Sequence, residues 1–297
     1  MILRSPSRLF PLPNAHHLSA HLRHSRMAHS SSPAPSTEFL DSLASNPKLQ
    51  PDTWYLIAAA TSVTLGKGAS WIPAIYAHAV SPVGPAPAEA TPSPPVFADD
   101  PLPRRRVVRR LKEALVKGAI LHGVPHAIGA SLALKDALVP GDRDDSFVRE
   151  GYHLDGQNAA RGYEALHRIY RDEMPLVGEL KSAMRDVEWF SYNCTYGAFL
   201  APISDTDPRA PLSIRETEMV VLSCLVALRA ELEVKWHLRG SLWVGMPEEE
   251  VEAVQCAVEE VARECAGVDV RTGMPRVQEM VRLMKEKEAQ KAAQKTE

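Results

Sequence analysis

The sequence has few of the residues that build disulfide frameworks, zinc sites or phosphate-binding loops. Among its 297 residues there is no Cys-x-x-Cys pair and no zinc-like spacing of the four cysteines, Cys194, Cys224, Cys256 and Cys265. The lysine of Gly66-Lys67-Gly68 lacks the remainder of a phosphate-loop pattern. We therefore predict buried thiols in a reducing compartment, no metal and no cofactor.

Long apolar stretches and an excess of basic charge are also missing. No run approaches the roughly 20 apolar residues that cross a bilayer, and the longest candidate, residues 56–65, is ended by Gly66. The net charge is −3, whereas phosphate neutralisation favours a basic protein. We expect neither a membrane nor a nucleic acid as a partner.

Acidic residues are absent before Glu38, and the first 37 residues contain four arginines and five histidines. An Arg-rich, Ser-containing segment without acids is typical of a mitochondrial transit peptide. We predict that residues 1–36 are a transit peptide or a disordered tail and that the protein is in the mitochondrial matrix, with the cytoplasm or the peroxisome as alternatives. The C-terminal Lys295-Thr296-Glu297 does not match the peroxisomal Ser-Lys-Leu signal.

No segment alternates with the period of two that indicates a half-buried strand, so we predict an all-α fold. The Pro- and Ala-rich residues 81–103 are unsuited to a helix and are expected to form an extended excursion. Helices are expected from Glu38 and over residues 53–65, 104–121, 125–139, 157–172, 175–192, 214–228 and 275–290. We place an N-terminal helical unit at 37–150, a second helical domain at 151–290 and a disordered tail at 291–297.

Local signals are clearest in the second domain. Ser213 and Glu216 form a capping box before a helix that is apolar on all sides and therefore buried. Pro247 is expected at the first position of the next helix, followed by acids that complement its dipole. In the first unit, arginines 104–106, 109 and 110 are expected on a solvated helix face, with anion binding as the alternative.

The two units share a short pattern at a constant offset of 122 residues. Residues 117–125 and 239–247 each end a helix with glycine and resume with proline. We interpret this as two copies of one helical unit packed on each other. The offset places Leu111 and Leu115 where the second copy has Glu233 and His237, which predicts one active unit in each chain.

Glu233 and His237 are four residues apart and therefore share one face of a helix. Glu218 lies one helix earlier, and a tight connection would bring it opposite them. A carboxylate beside an imidazole fixes its tautomer and suits general acid–base catalysis. An exposed ion pair at this common spacing is the alternative.

The stretch from Arg215 to Val254 resembles the carboxymuconolactone decarboxylase and alkylhydroperoxidase D family. In the alkylhydroperoxidase D pattern the acid falls on Glu218, the histidine on His237, and the two cysteines on Ala230 and Glu233. Both thiols are therefore missing, and peroxide reduction of that type is not supported. Decarboxylase-type members carry Glu-x-x-x-His here, which Glu233 and His237 match.

The resemblance implies an alkylhydroperoxidase D-like helical bundle that assembles as a homo-oligomer, a trimer or a hexamer. It also implies a cofactor-free lyase or proton-transfer enzyme acting on a small organic acid or lactone. His237 would move the proton, Glu233 would orient it, Glu218 would complete the relay, and Arg215 would bind a substrate carboxylate. The alternatives are a peroxidase that uses one isolated cysteine and a non-catalytic assembly protein.

Overall fold

The computed structural model describes residues 33–81, 103–171, 183–202 and 210–294, together with residues 174 and 179. Most of the predicted transit peptide, the Pro-rich excursion and the last three residues lie outside this part of the chain. Within it there are one 3₁₀ turn (Pro140–Asp142), one π-helix, π1 (Ser191–Leu200), and eleven α-helices. The α-helices are α1 (Thr37–Ala44), α2 (Trp54–Thr64), α3 (Gly68–Ala79), α4 (Pro103–His122), α5 (Val124–Ala137), α6 (Gly156–Tyr170), α7 (Arg185–Phe190), α8 (Ile214–Leu228), α9 (Glu231–Trp243), α10 (Glu248–Ala266) and α11 (Val277–Gln294).

The all-α prediction is confirmed, because no strand occurs in the described ranges. The capping box is also confirmed: the Ser213 hydroxyl accepts from the Glu216 amide, and the Ser213 amide donates to the Glu216 carboxylate at 2.7 Å. These bonds satisfy amides that would be unpaired at the start of α8. Pro247 is the residue that precedes α10, one position earlier than expected.

Two apolar helices, α2 and α8, form the centre of the molecule. Ten of the eleven residues of α2 and twelve of the fifteen of α8 are buried, and the two helices pack against each other. Helix α2 also packs on α4 and α10, so helices from both halves share one hydrophobic core. From residue 33 onward the chain is one compact unit, with no separate bodies on either side of residue 150.

The structure differs from the predicted helices in two places. Helix α3 was not predicted, and it contains Pro73, which cannot donate a helical hydrogen bond. The helix expected at 175–192 is, in its described part, the short α7 followed by π1. No described helix combines the length and the apolar character needed to cross a membrane.

Four of the five arginines of α4 pair with carboxylates, so the predicted solvated face is wrong. Arg104 pairs with Asp142 at 2.8 Å, and Arg109 pairs with Asp144 at 2.6 Å. Arg110 is fully buried, pairs with Glu216 and lies over the Tyr55 ring. These pairs fasten α4 to the loop that follows α5 and to the start of α8.

The two copies of the offset pattern share one backbone feature. Gly123 and Gly245 both have a left-handed conformation, with φ of 87° and 93°, which glycine adopts at no steric cost. Leu111 and Leu115 of the first copy are buried in the core. The duplication itself stays a prediction.

Candidate active site

A tight hairpin brings Glu218 and His237 together. Arg229 ends α8 in the left-handed conformation, φ 57° and ψ 36°, and α9 begins two residues later. The returning helix places the His237 Nδ1 atom 2.9 Å from the Glu218 Oε2 atom. Glu218 is 0% exposed and His237 3% exposed, so this pair lies inside the protein.

Two tyrosines extend this pair into a hydrogen-bonded series. The Tyr170 hydroxyl, at the end of α6, lies 3.1 Å from the Nε2 atom of His237. The Tyr196 hydroxyl, from π1, donates to the Tyr170 hydroxyl at 3.0 Å. We call Tyr196, Tyr170, His237 and Glu218 the buried quartet. Both ring nitrogens of the histidine are therefore bonded to side chains.

Burial determines the protonation of the tyrosines. It raises the pKa of Tyr170 and the pKa of Tyr196 well above the ordinary value, so both hydroxyls keep their protons. Tyr196 donates to Tyr170, Tyr170 can then donate to Nε2, and Nδ1–H can donate to Glu218. The carboxylate thus helps to fix the orientation of the imidazole ring.

One atom of the buried quartet has no hydrogen-bond partner in the described part of the chain. This atom is Glu218 Oε1, which is buried. The carboxylate therefore has one oxygen bonded to the imidazole and a second that can accept a proton donor.

Glycine at position 240 allows the helices around Glu218 to approach closely. A methyl group there would lie 2.6 Å from the Ile169 Cγ2 atom and 3.3 Å from Glu218 Oε2. Any side chain at 240 would push α9 away from α6, and Tyr170 is the last residue of α6. The distance between Tyr170 and His237 thus depends on this glycine.

The tyrosines are held in place by an unusually close contact between α6 and π1. A methyl group on Gly162 would lie 2.0 Å from the Tyr192 carbonyl oxygen, and one on Gly197 would lie 2.6 Å from Asn158 Nδ2. The Asn158 side chain also donates to the Asn193 carbonyl at 2.8 Å. We missed both tyrosines in the sequence. Gly162 and Gly197 were the available signal, because the close crossing of two helices is one reason for glycine inside a helix.

The other two predicted site residues are not part of the quartet. Glu233 is half-buried, and no hydrogen bond joins it to His237 among the described residues, since both ring nitrogens are bonded elsewhere. Its charge acts on Tyr170 instead, where it contributes to the raised pKa. Arg215 forms an ion pair of 2.5 Å with the buried Glu250, and its role in binding a substrate carboxylate stays a prediction.

Cys224, Cys256 and Cys265 are free thiols rather than activated ones. Burial raises the pKa of Cys224 to about 12 and the pKa of Cys265 to about 11, and it also raises the pKa of Cys256. A nucleophilic cysteine needs a lowered pKa. The described ranges contain no group of three or more His, Cys, Asp or Glu residues suited to a metal ion.

The fold and the site together define an all-α protein with a buried Glu–His–Tyr–Tyr series. No protein-family model matches the chain. It is similar to Peroxisomal protein 2 of Schizosaccharomyces pombe, with 27% identity over 157 residues, 52% of this chain and 70% of that protein. It is also similar to Peroxisomal protein 2 of Saccharomyces cerevisiae, with 25% identity over 198 residues, 58% of this chain and 66% of that protein.

Proposed function

We propose that the protein is a cofactor-free enzyme that moves a proton on a small organic acid or lactone, and that the buried quartet is its acid–base machinery. The observation that carries this proposal is the bonding of both His237 ring nitrogens, one to a carboxylate and one to a hydroxyl. Histidine held between an acid and a hydroxyl is the arrangement by which enzymes activate that hydroxyl.

In this mechanism Tyr170 contacts the substrate, because it is the most exposed member of the quartet, at 8%. A proton leaves the substrate carbon beside a carbonyl and is taken by the Tyr170 oxygen. The hydroxyl proton of Tyr170 passes at the same time to Nε2 of His237. The resulting imidazolium is stabilised by the Glu218 carboxylate at 2.9 Å. Reversal of these transfers returns a proton to the product, and the enzyme ends unchanged.

The resemblance to the carboxymuconolactone decarboxylase family supports the same assignment. In the alkylhydroperoxidase D pattern of that family, the acid and the histidine fall on Glu218 and His237, and these two residues are bonded to each other. The peroxidase alternative gains no support, because three of the four thiols have raised pKa values. We retain the homo-oligomer as part of the proposal.

The test is proton exchange into candidate substrates. We would incubate the protein in D₂O with carboxymuconolactone and with a series of small β-keto acids and lactones, and follow deuterium at carbon and loss of carboxylate by NMR. Replacing His237 by Ala or Tyr170 by Phe should slow turnover at least about 100-fold, the usual contribution of a positioned acid or base. Glu218→Gln should be slowed as well.

The matched control is His153→Ala, which removes an exposed histidine. All variants should keep the helical circular-dichroism signal of the unsubstituted protein. A His237→Ala variant that is folded and turns over substrate at the original rate would contradict the proposal.

We further propose that the protein acts in the peroxisome, the alternative to the predicted mitochondrial matrix. The support is that both similar yeast proteins are named Peroxisomal protein 2. Full-length chains carrying a fluorescent protein at one end or the other should overlap with a peroxisomal marker. Overlap of both fusions with a mitochondrial marker would contradict this placement.

A further inference from the structure

The C-terminal end of π1 is held by two cations, the buried Lys117 and the half-buried Arg149. Arg149 donates from Nε to the Ala198 carbonyl at 2.9 Å and from Nη2 to the Phe199 carbonyl at 3.3 Å. Lys117 donates from Nζ to the carbonyls of Phe199, Leu200 and Ala201, at 3.0, 2.8 and 3.4 Å. Four successive carbonyls are therefore bound at the negative end of a helix, where carbonyls lack partners of their own.

A buried carboxylate joins the two cations. Glu113 accepts two bonds from the Arg149 guanidinium, at 2.8 and 2.9 Å, and lies 3.6 Å from Lys117 Nζ. Glu113 is 4% exposed and Lys117 1% exposed. We call Glu113, Lys117 and Arg149 the anchor cluster. The cluster thereby supplies donors to carbonyls at a helix end, which have no partner within the helix.

The anchor cluster lies at the end of the helix that carries Tyr196. The Tyr196 carbonyl accepts a bond of 2.7 Å from the Ala201 amide, so one turn of helix joins the bound carbonyls to the tyrosine. On the far side, the Tyr196 hydroxyl donates to Tyr170. Lys117 also interacts electrostatically with Glu218, the other end of the buried quartet.

We propose that the anchor cluster is a positioning element for the buried quartet: it fixes the end of π1 so that the Tyr196 hydroxyl stays bonded to Tyr170, and through Tyr170 sets the hydrogen bond that reaches His237 Nε2. This inference rests on the quartet described under the proposed function. None of the three residues touches a reacting atom in this scheme. Their effect is transmitted through Tyr196.

The test observes the histidine directly, without a substrate. The full chain is labelled with ¹⁵N-histidine, and the Nδ1 and Nε2 signals of His237 are assigned by their loss in His237→Gln. Tyr196→Phe, which removes the terminal hydroxyl, supplies the reference shift of Nε2. Lys117→Met should shift Nε2 in the same direction as Tyr196→Phe. Lys112→Met is the matched control, because Lys112 lies on the same helix but binds the 144–146 loop; it should leave His237 unchanged.

Arg149→Met provides a second route if Lys117→Met does not fold, since Arg149 is at the edge of the cluster. It should also shift Nε2 and increase hydrogen exchange over residues 197–202. The positioning role would be overturned if Lys117→Met or Arg149→Met folds and its His237 signals are identical to those of the original protein. If Tyr196→Phe itself leaves Nε2 unchanged, the quartet fails as a connected series, and the proposed function fails with it. If the Nε2 signal shifts in Tyr196→Phe but not in the variants of the anchor cluster, only the positioning role of the anchor cluster is rejected.

The unsubstituted protein gives a third measurement that needs no variant. Burial lowers the pKa of Lys117 to about 8. The charge of Arg149 also lowers this pKa, whereas the charges of Glu113 and Glu218 raise it. Loss of the lysine charge weakens its bonds to the π1 carbonyls. The His237 Nε2 shift should therefore change with a midpoint near the Lys117 pKa, which the ¹³Cε signal of that lysine reports separately. A flat Nε2 signal across that titration would count against the positioning role.

Discussion

At the scale of single residues, Lys117 makes folding stability depend on pH in a defined direction. Its pKa is about 8 in the folded protein against an ordinary 10.5, so between these pH values the unfolded chain binds more protons than the folded one. Stability contributed by this residue therefore rises with pH through that window, by up to about 3 kcal/mol at about 1.4 kcal/mol per pH unit. Below pH 8 the folded protein bears the full cost of the buried charge.

The measurement is urea unfolding of the original protein and of Lys117→Met from pH 7 to pH 10. The difference in the free energy of unfolding, original protein minus variant, should increase as the pH rises above 8. The contributions of the other titrating groups cancel in this difference. Lys112→Met, whose lysine is half-exposed, should give a nearly constant difference. A constant difference for Lys117→Met would show that this lysine is not desolvated as described.

The same scale shows how far the site could be predicted. The contact between Glu218 and His237 was predicted, because a tight connection folds the second helix back against the first. Glu233 was wrongly given the orienting role, because a spacing of four residues gives a shared helix face but not a hydrogen bond. Tyr170 is 67 residues from His237 in sequence, and no local pattern joins them. Such a contact depends on how α6, α8 and α9 pack against one another.

At the scale of elements, helices with strong local signals were predicted and those formed by packing were not. The capping box and apolar character of α8 are local properties, and the structure confirms both. The π-helix has an extra residue per turn that is rare in isolation, and it occurs here where Gly162 and Gly197 let two backbones meet. The arginines of α4 were wrongly predicted to face solvent for a similar reason, because the carboxylates that bind them are distant in sequence. Sequence periodicity therefore predicts individual helices. Which residues contact each other depends on how those helices cross in the folded protein.

At the scale of the whole molecule, the shared core predicts that neither half folds alone. Helix α2 contributes its buried surface to α4 from the first half and to α8 and α10 from the second. A fragment of residues 33–150 would expose α2, and a fragment of residues 151–294 would expose the matching faces of α8 and α10. Exposed apolar surface of this kind is unfavourable at about 25 cal/mol for each square ångström.

Each fragment expressed by itself should therefore aggregate or melt without a cooperative transition, as followed by circular dichroism. Co-expression of the two should restore a soluble complex with a cooperative melt, because the core can then form from two chains. Two independently folded fragments, each with its own transition, would instead favour the predicted division into separate units. That result would mean that α2 and α8 tolerate exposure, and the central packing between them would then contribute little to the stability of the buried quartet, of which α8 carries Glu218.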